Sequence, residues 1–247
     1  PDAIVEPYVA ALRAADGDLA WIPHGNEGWR EAHYALVAWP APGAFAQMRS
    51  LRAVIAIGAG VDQILADPNL PDVPLVRLPQ EDLRQRMTEY VVLHVLRHHR
   101  RQTSIERNQR AARWAYVATP AAGERRVGVM GLGVLGQHAA LALRGLGFDV
   151  TAWSRTKQSI DGVPTFGADE LEPFLHRSEI LVCLLPLTQD TRGLIDAALL
   201  ATLPAGASLI NAGRGPIVVE ADLLAALARG HIDEAYLDVF ETEPLPP

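Results

Sequence analysis

The sequence has one cysteine, few aromatic residues, no long hydrophobic run and no excess of basic charge. The single cysteine among 247 residues, Cys183, excludes an internal disulfide framework and a cysteine-rich zinc site, and it fits a reducing, cytoplasmic setting. The longest apolar run, residues 180–187, contains a proline and is too short to cross a bilayer. We therefore predict a cytoplasmic protein without a membrane partner.

The charge balance argues against a dedicated nucleic-acid binder. There are 22 Lys and Arg against 29 Asp and Glu, which leaves a net charge of −7, whereas nucleic-acid recognition needs a positive surface. Hydrophobic residues make up 49% of the chain and charged residues 21%, as in ordinary globular domains. A folded domain that binds no nucleic acid is the expectation.

From Gly123 onward, segments typical of strands and of helices alternate. Apolar strands without alternation suit a parallel sheet that is covered on both faces. The strand–helix order predicts a doubly wound α/β sheet of the Rossmann type with right-handed crossovers. Strands are predicted over residues 126–130, 149–153, 179–185, 207–212 and 234–240, and helices over residues 134–146, 169–176, 197–203 and 220–228.

The first part of the chain has a shorter α/β pattern. A helix is predicted over residues 4–15, and strands over residues 19–22, 36–39, 54–57 and 75–77. One long helical stretch should follow, from about residue 81 to residue 113. Because Pro71, Pro74 and Pro79 cluster, we place the boundary there, with one domain over residues 1–79 and another over residues 80–247.

A G-x-G-x-x-G motif stands between the first strand and the first helix of the second domain. Gly131 permits a tight turn, Gly133 lets the backbone approach a pyrophosphate, and Gly136 lets the helix pack on the strand. The helix N-terminus then offers free N–H groups to the anion. A plain strand–helix turn is the alternative, but the flanking pattern favours a dinucleotide. Val134 and Leu135 complete the predicted contact.

No carboxylate follows the second strand, where an NAD site usually has one for the ribose 2′-OH. The residues there are Trp153, Ser154, Arg155, Thr156 and Lys157. Arg155 suits a 2′-phosphate because its guanidinium forms charge-assisted hydrogen bonds. Ser154 or Thr156 can donate to the same phosphate, and Lys157 adds charge. A solvated basic turn is the alternative. We predict NADP, in preference to NAD.

Polar residues also follow the later strands. Ligands of an open parallel sheet bind beyond the carboxyl ends of its strands. Arg214, Asp238 and Glu243 are therefore expected to face one crevice. Each has a plainer interpretation: Arg214 as a surface cation, Asp238 as a turn cap and Glu243 as a solvated carboxylate.

The order and spacing of these motifs resemble the D-isomer-specific 2-hydroxyacid dehydrogenase family, and within it the glyoxylate/hydroxypyruvate reductase branch. The resemblance runs from Gly58 to Pro246. It implies an NAD(P)-binding Rossmann domain over residues 80–247 and a smaller, flavodoxin-like substrate-binding domain over residues 1–79. It also implies NADPH-dependent reduction of a small 2-oxo acid held between the domains, and a homodimer contact through the long helical region.

The resemblance implies residue roles as well. Arg214 would grip the substrate carboxylate and polarise the carbonyl, and Glu243 would partner a catalytic histidine. The backbone of Ala59 and Gly60 would meet the carboxylate, and Trp39 would limit side-chain size. Further cofactor contacts implied by the family are Leu185, Pro186, Thr191, Ala212, Gly213, Arg214 and Asp238.

One element of the family pattern has no match. The family's acid/base histidine follows the Glu-Pro-Leu-Pro run, and the sequence ends at Pro247, before that point. None of the eight histidines has the matching context. We therefore expect that the chain is truncated before the catalytic histidine, lacks a first strand, and binds cofactor but turns over poorly.

Two other functions stay open. One is an NAD-dependent dehydrogenase of another D-2-hydroxy acid. The other is a dinucleotide-sensing interaction protein, since a fold and even a site can persist without turnover. A methyltransferase is disfavoured because it would want an acidic group on the ribose, where Arg155 stands.

Overall fold

The structure, a computed structural model, describes residues 2–38, 40–58, 60–78 and 81–245. The chain divides into two compact units, residues 1–80 and residues 81–247, here called the first and the second unit. Among the described residues, no helix is long and apolar enough to span a membrane.

The first unit is a small parallel α/β unit. Its strands pair in the order β1-β2-β3, and its core contains Phe45, Val54 and Ile64. Its elements are α1 (Asp2–Ala15), β1 (Tyr34–Val37), β2 (Ala53–Ala56), α2 (Asp62–Leu65) and β3 (Leu75–Arg77).

The strand predicted over residues 19–22 is wrong. Leu19 is partly exposed, and its N–H donates to the carbonyl of Asp16 in a turn instead of joining a ladder. The chain then runs through further turns to Trp29, which is buried and whose ring lies 4.4 Å from that of His24. A segment of four residues becomes a strand only beside a neighbour, and local sequence does not reveal the neighbour.

The second unit opens with helices α3 (Glu81–His99) and α4 (Gln102–Arg110) where one continuous helix was predicted. The helix breaks because Arg101 adopts a left-handed conformation, with φ of 55°. The Arg101 guanidinium donates to the carboxylate of Asp233, 132 residues away, at 2.8 Å. The break therefore lies at a tertiary ion pair, and helix propensity cannot predict it because the partner is remote in the sequence.

A six-stranded parallel sheet forms the centre of the second unit. Its order, β6-β5-β4-β7-β8-β9, is that of a doubly wound Rossmann sheet and confirms the predicted α/β class. The short β6 was not predicted. The remaining elements are β4 (Arg126–Met130), α5 (Val134–Gly145), β5 (Asp149–Trp153), β6 (Thr165–Phe166), α6 (Leu171–His176), β7 (Ile180–Cys183), α7 (Ala197–Thr202), β8 (Ala207–Asn211), α8 (Glu220–Ala228) and β9 (Ile232–Leu237).

Helices cover both faces of this sheet. Apolar residues of α3 and α5, such as Val91 and Leu143, form a core with one face, while α6, α7 and α8 form a core with the other. All residues of β7 and β8 are buried, which explains the uninterrupted apolar sequence of β7. The two covered faces leave the strand ends as the open edge at which loops can hold a ligand.

Candidate functional site

The carboxyl ends of the central strands lie in register. Met130 pairs with both Trp153 and Cys183, Cys183 pairs with Asn211, and Asn211 pairs with Leu237. The loops after β4, β5, β7, β8 and β9 therefore begin side by side along one edge. The chain reverses direction across the sheet between β4 and β7, and ligands bind at such a point in doubly wound sheets.

The glycine motif has the geometry that its sequence predicts. Gly131 has φ of +99°, and a Cβ there would lie 2.8 Å from the carbonyl oxygen of Leu184. A Cβ on Gly136 would lie only 1.7 Å from the carbonyl oxygen of Gly131. By contrast, a Cβ on Gly133 would meet no protein atom within 4 Å. Two glycines permit close packing, and the third leaves space beside the backbone.

That space lies at the start of α5. Gly133 is the N-cap residue and provides no side-chain acceptor for the first turn. The first N–H groups of a helix lack intrahelical partners and carry partial positive charge. Val134 is exposed and Leu135 half-buried, so the motif presents backbone donors to solvent beside an open space. This arrangement fits a pyrophosphate.

The two cations after β5 are both in ion pairs, which sequence reasoning did not foresee. The Arg155 guanidinium lies 3.0 Å from the carboxylate of Asp190. The Lys157 ammonium lies 2.8 Å from the carboxylate of Glu170. The hydrogen bond from Lys157 is the largest cause of a lowered pKa of Glu170, and a hydrogen bond from the Gly167 N–H lowers this pKa further. Both cations therefore lie at the strand-end edge in ion pairs with carboxylates of this chain.

The hydroxyls beside these cations differ in environment. Ser154 is buried, and its Oγ donates to the carbonyl of Thr156 at 2.7 Å, which shapes the turn. Thr156 is exposed. Trp153 is buried at the strand end, where its carbonyl accepts from the Gly131 N–H at 2.8 Å. The turn after β5 is thereby joined directly to the glycine motif.

The loop after β7 is braced by the Thr191 hydroxyl. Thr191 Oγ1 accepts from the Thr188 N–H at 2.8 Å and donates to the carbonyl of Pro186 at 2.7 Å. Leu185 is buried, and Pro186 is exposed. The loop therefore presents an exposed proline from a fixed backbone next to the glycine motif.

The loop after β8 carries Arg214 on a backbone held by Asn211. The Asn211 side chain accepts from the Gly213 N–H and donates to the carbonyl of Arg214, both at 3.1 Å. Arg214 is half-buried, and its Nη1 donates to the Gly213 carbonyl at 2.8 Å. Ala212 is buried beside it. Asn211 has a bracing role that the motif alone did not indicate.

The glycines beside Arg214 allow close backbone contacts. A Cβ on Gly213 would lie 2.7 Å from the carbonyl oxygen of Leu185, and one on Gly215 would lie 1.8 Å from that of Phe240. The Asp238 N–H also donates to the carbonyl of Asn211 at 2.9 Å. The loop with Arg214 is thus packed between the loops after β7 and β9.

Glu243 lies in the exposed segment after β9. Its carboxylate accepts from the Phe240 N–H at 2.8 Å. All eight histidines lie within the described residues, and none of them hydrogen-bonds Glu243. The structure therefore brings no histidine of this sequence to the carboxylate that was expected to partner one.

Asp238 is exposed, and its charge reaches two aromatic residues of α3 that sequence reasoning missed. Burial, the larger cause, and the charge of the Asp238 carboxylate raise the pKa of Tyr90 to about 12. Burial lowers the pKa of His94, as does Arg97, while Asp238 opposes this change. The Tyr90 ring lies 4.3 Å from that of His94, so α3 contributes an aromatic pair near the end of β9.

Of the site residues expected in the first unit, Trp39 and Ala59 lie outside the described residues. Gly60 follows β2, just before α2 begins at Asp62. Among the residues that the structure describes, no group of three or more His, Cys, Asp or Glu side chains could hold a metal ion.

A cavity of about 360 Å³ lies at the opposite end of the large sheet and is lined in part by Arg101, Arg125 and Asp233. Its cations are already paired, Arg101 with Asp233 at 2.8 Å and Arg125 with Glu179 at 3.4 Å. None of the predicted site residues lines it. The strand-end edge is therefore the better candidate site.

Residues 92–247 match the family model described as D-isomer specific 2-hydroxyacid dehydrogenase, NAD binding domain. Solved structures of this family are similar over nearly the whole chain. One, from Xanthobacter autotrophicus Py2 in complex with NADPH and MES, is 50% identical with a TM-score of 0.91, over 98% of this chain and 79% of that one.

Two further structures contain NADP. An NADPH-dependent glyoxylate/hydroxypyruvate reductase from Sinorhizobium meliloti, in complex with NADP and sulfate, is 43% identical with a TM-score of 0.92, over 100% of this chain and 80% of that one. A probable 2-hydroxyacid dehydrogenase from Rhizobium etli CFN 42, in complex with NADP, HEPES and L(+)-tartaric acid, is 41% identical with a TM-score of 0.87, over 98% and 79%.

Proposed function

Since this chain belongs to the D-isomer-specific 2-hydroxyacid dehydrogenase family, we propose that it reduces a small 2-oxo acid, glyoxylate or hydroxypyruvate, to the 2-hydroxy acid with NADPH. The observation that carries this proposal is the shared edge of the large sheet. There the glycine motif, the cations after β5 and Arg214 follow strands whose ends lie in register.

NADPH fits this edge. The open space beside Gly133 and the N-terminus of α5 would receive the pyrophosphate. Arg155 and Lys157, with Thr156 between them, would hold the 2′-phosphate after exchanging their carboxylate partners for it. Leu185, Pro186 and Thr191 would line the adenosine, while Ala212, Gly213 and Asp238 would lie toward the nicotinamide. When bound, the dihydronicotinamide supplies the hydride for the carbonyl carbon.

Arg214 is assigned to the substrate carboxylate and carbonyl. Its guanidinium is planar, permanently charged and able to donate two parallel hydrogen bonds. Its position on a braced backbone limits the reorganisation needed as negative charge develops on the carbonyl oxygen. We assign Glu243 to orienting a histidine proton donor, because a carboxylate beside imidazole raises its pKa and selects its tautomer. None of the eight histidines in the sequence is assigned that role.

On the first unit, we assign the backbone N–H groups of Ala59 and Gly60 to the substrate carboxylate. A turn between a strand and a helix presents such groups to anions. Trp39 is assigned to limiting the side chain of the substrate. These assignments rest on the family pattern, which places both loops after strands of the smaller domain.

The test is a substrate panel with both cofactors. Purified protein, with the chain as its natural gene encodes it, is assayed for oxidation of NADPH and NADH with glyoxylate, hydroxypyruvate, pyruvate and phenylpyruvate. We expect the highest kcat/KM for the two small acids with NADPH. No oxidation with any acid would refute the reductase, and equal or better use of NADH would refute the cofactor preference.

We also propose a homodimer and a cytoplasmic location. The stretch after α4 carries two aromatic side chains that are almost fully exposed, Trp114 at 100% and Tyr116 at 92%. Exposed aromatic side chains of this size are typical of a surface that meets a partner. Light scattering of the wild type and of Trp114→Ala tests the dimer, and a monomeric wild type would refute it.

A further inference from the structure

A buried carboxylate links two separate segments of the first unit. Asp67 is 9% exposed, and its Oδ2 accepts from the Gly43 N–H at 2.9 Å, across 24 residues of chain. Its Oδ1 accepts from the N–H and the side-chain amide of Asn69, at 2.8 and 3.2 Å. These hydrogen bonds lower the pKa of Asp67, the backbone bond from Asn69 being the largest cause.

Each linked segment follows a strand of the small sheet. Gly43 has φ of 76° and lies in the turn after β1, where the Ala44 N–H donates to the carbonyl of Ala41. Asp67 closes the segment that follows β2. Its N–H donates to the carbonyl of Ile64, and the Leu65 N–H donates to that of Val61, so α2 fixes Asp67 relative to the end of that loop.

Apolar packing supports the same link. Phe45, two residues after Gly43, and Ile64 of α2 are both buried in the core cluster of the first unit. This packing orients the two segments but leaves the turn at residues 40–43 partly exposed. Among the described residues, Asp67 is the side chain that hydrogen-bonds this turn. Trp39 stands directly before the turn in the sequence.

We propose that Asp67 is a positioning residue that holds the turn after β1 against the α2 segment and thereby sets which side-chain sizes of 2-oxo acid the enzyme accepts. This inference rests on the proposed function. Asp67 touches neither substrate nor cofactor in this scheme. It acts through the two segments that it links, one after β1 and one after β2. The first of them directly follows, in the sequence, Trp39, which we assign to limiting the side chain of the substrate.

Asp67→Asn is the direct test. The asparagine side chain has one acceptor oxygen where the carboxylate has two. The variant therefore loses the hydrogen bond from either the Gly43 N–H or the Asn69 N–H. We expect the ratio of kcat/KM for phenylpyruvate to that for glyoxylate to rise by about fivefold or more, because size exclusion depends on the placement of the loop. The change should lie mainly in KM, and the Kd for NADPH should stay within about twofold, because the proposed cofactor residues lie in the second unit.

Two matched variants separate positioning from general damage. Asp72→Asn removes a charge from an exposed residue nearby, and Asn69→Ala removes only one side-chain bond of the cluster. Both should retain the wild-type ratio. Should Asp67→Asn fail to fold, Asp67→Ser, which keeps a short acceptor, is judged by the same ratio.

The outcomes distinguish this inference from the function on which it rests. If the wild type does not oxidise NADPH with any 2-oxo acid, the proposed function is overturned and this inference with it. If the wild type is active but Asp67→Asn has the same kcat/KM ratio as Asp72→Asn, only the positioning role is overturned. A lower melting temperature at an unchanged ratio also overturns that role, because Asp67 would then be merely structural.

Discussion

The Arg155 guanidinium lies 3.0 Å from the Asp190 carboxylate, joining the turn after β5 to the loop after β7. Both side chains are largely exposed, at 76% and 73%. An exposed ion pair is worth about 0–1 kcal/mol, so a dianionic phosphate can replace the carboxylate. The residue that we propose as the main 2′-phosphate ligand therefore binds it in competition with a neighbouring negative charge.

Replacing Asp190 by asparagine should strengthen NADPH binding. The substitution removes both the competing acceptor and a like charge near the 2′-phosphate, so the Kd for NADPH should fall by about two- to fivefold at low salt and less at high salt. The Kd for NADH should not change. Glu172→Gln, which removes the same charge from an exposed position on α6, is the control. Weaker NADPH binding by Asp190→Asn would mean that Asp190 orients Arg155 instead.

Two glycine substitutions three residues apart should affect different properties, one the stability of the fold and the other the binding of NADPH. Gly136→Ala places a methyl group against the backbone of Gly131 and should destabilise the protein by about 3 kcal/mol. Gly133→Ala has open space and should leave thermal unfolding nearly unchanged, while the Kd for NADPH rises about tenfold because the methyl group obstructs the pyrophosphate. Calorimetry and fluorescence titration measure these two quantities. Unaltered NADPH binding by Gly133→Ala would argue against this site.

Arg214→Lys should impair the reaction more than it impairs folding. Lysine keeps the charge but loses the paired donors, so kcat/KM for glyoxylate should fall by about 10²- to 10³-fold. Arg229→Lys, at an exposed position after α8, is the control and should retain wild-type kinetics. Steady-state assays with saturating NADPH make the comparison. If both variants behave alike, the assignment of Arg214 to the substrate is wrong.

Glu234 should contribute stability that acid removes. Burial acts to raise the pKa of Glu234, but hydrogen bonds with His98, Tyr236 and Thr103 lower it to about 2, from an ordinary 4.5. A depressed carboxyl pKa stabilises the fold above pH 4.5, and that stability is lost as the pH falls toward 2. At pH 7, Glu234→Gln should cost on the order of 2 kcal/mol, allowing for partial screening by solvent.

The measurement for Glu234 is denaturant unfolding of the wild type and Glu234→Gln at several pH values. The difference between the two proteins should be constant from about pH 5 to pH 7 and shrink below the ordinary carboxyl pKa of 4.5. A difference that grows as the pH falls would contradict the assigned titration. Glu172→Gln again serves as the charge-matched control.

Much of the second unit could be predicted from its local sequence. The helix over residues 220–228 and the strands over residues 126–130 and 149–153 have the predicted bounds. These segments combine apolar runs with clear terminators, Gly131 and Gly230 among them. The family resemblance, carried by the order of the motifs, is confirmed by the match over residues 92–247. The residue roles at the site stay predictions.

Segments whose conformation depends on remote partners could not be predicted in this way. The false strand at residues 19–22 lacks a neighbouring strand, and the break at Arg101 accompanies a contact with Asp233. The carboxylates that meet Arg155 and Lys157 come from other loops, so a cluster of cations in the sequence gave no sign of them. The cations do follow a strand, β5, but the sequence did not predict their carboxylate partners.

Local chemistry along the chain was enough to indicate the turn at Gly131, the helix that begins after Gly133 and the missing acid after β5. Each of these follows from backbone conformation or side-chain type within a few neighbouring residues. Folding alone established the contacts of Arg155 with Asp190, Asp67 with Gly43 and His98 with Glu234, which join residues 35, 24 and 136 positions apart. Such contacts depend on which strands become neighbours. The order of the strands is determined by burial of the apolar residues on the faces of the sheet, which involves the whole unit and not a local segment.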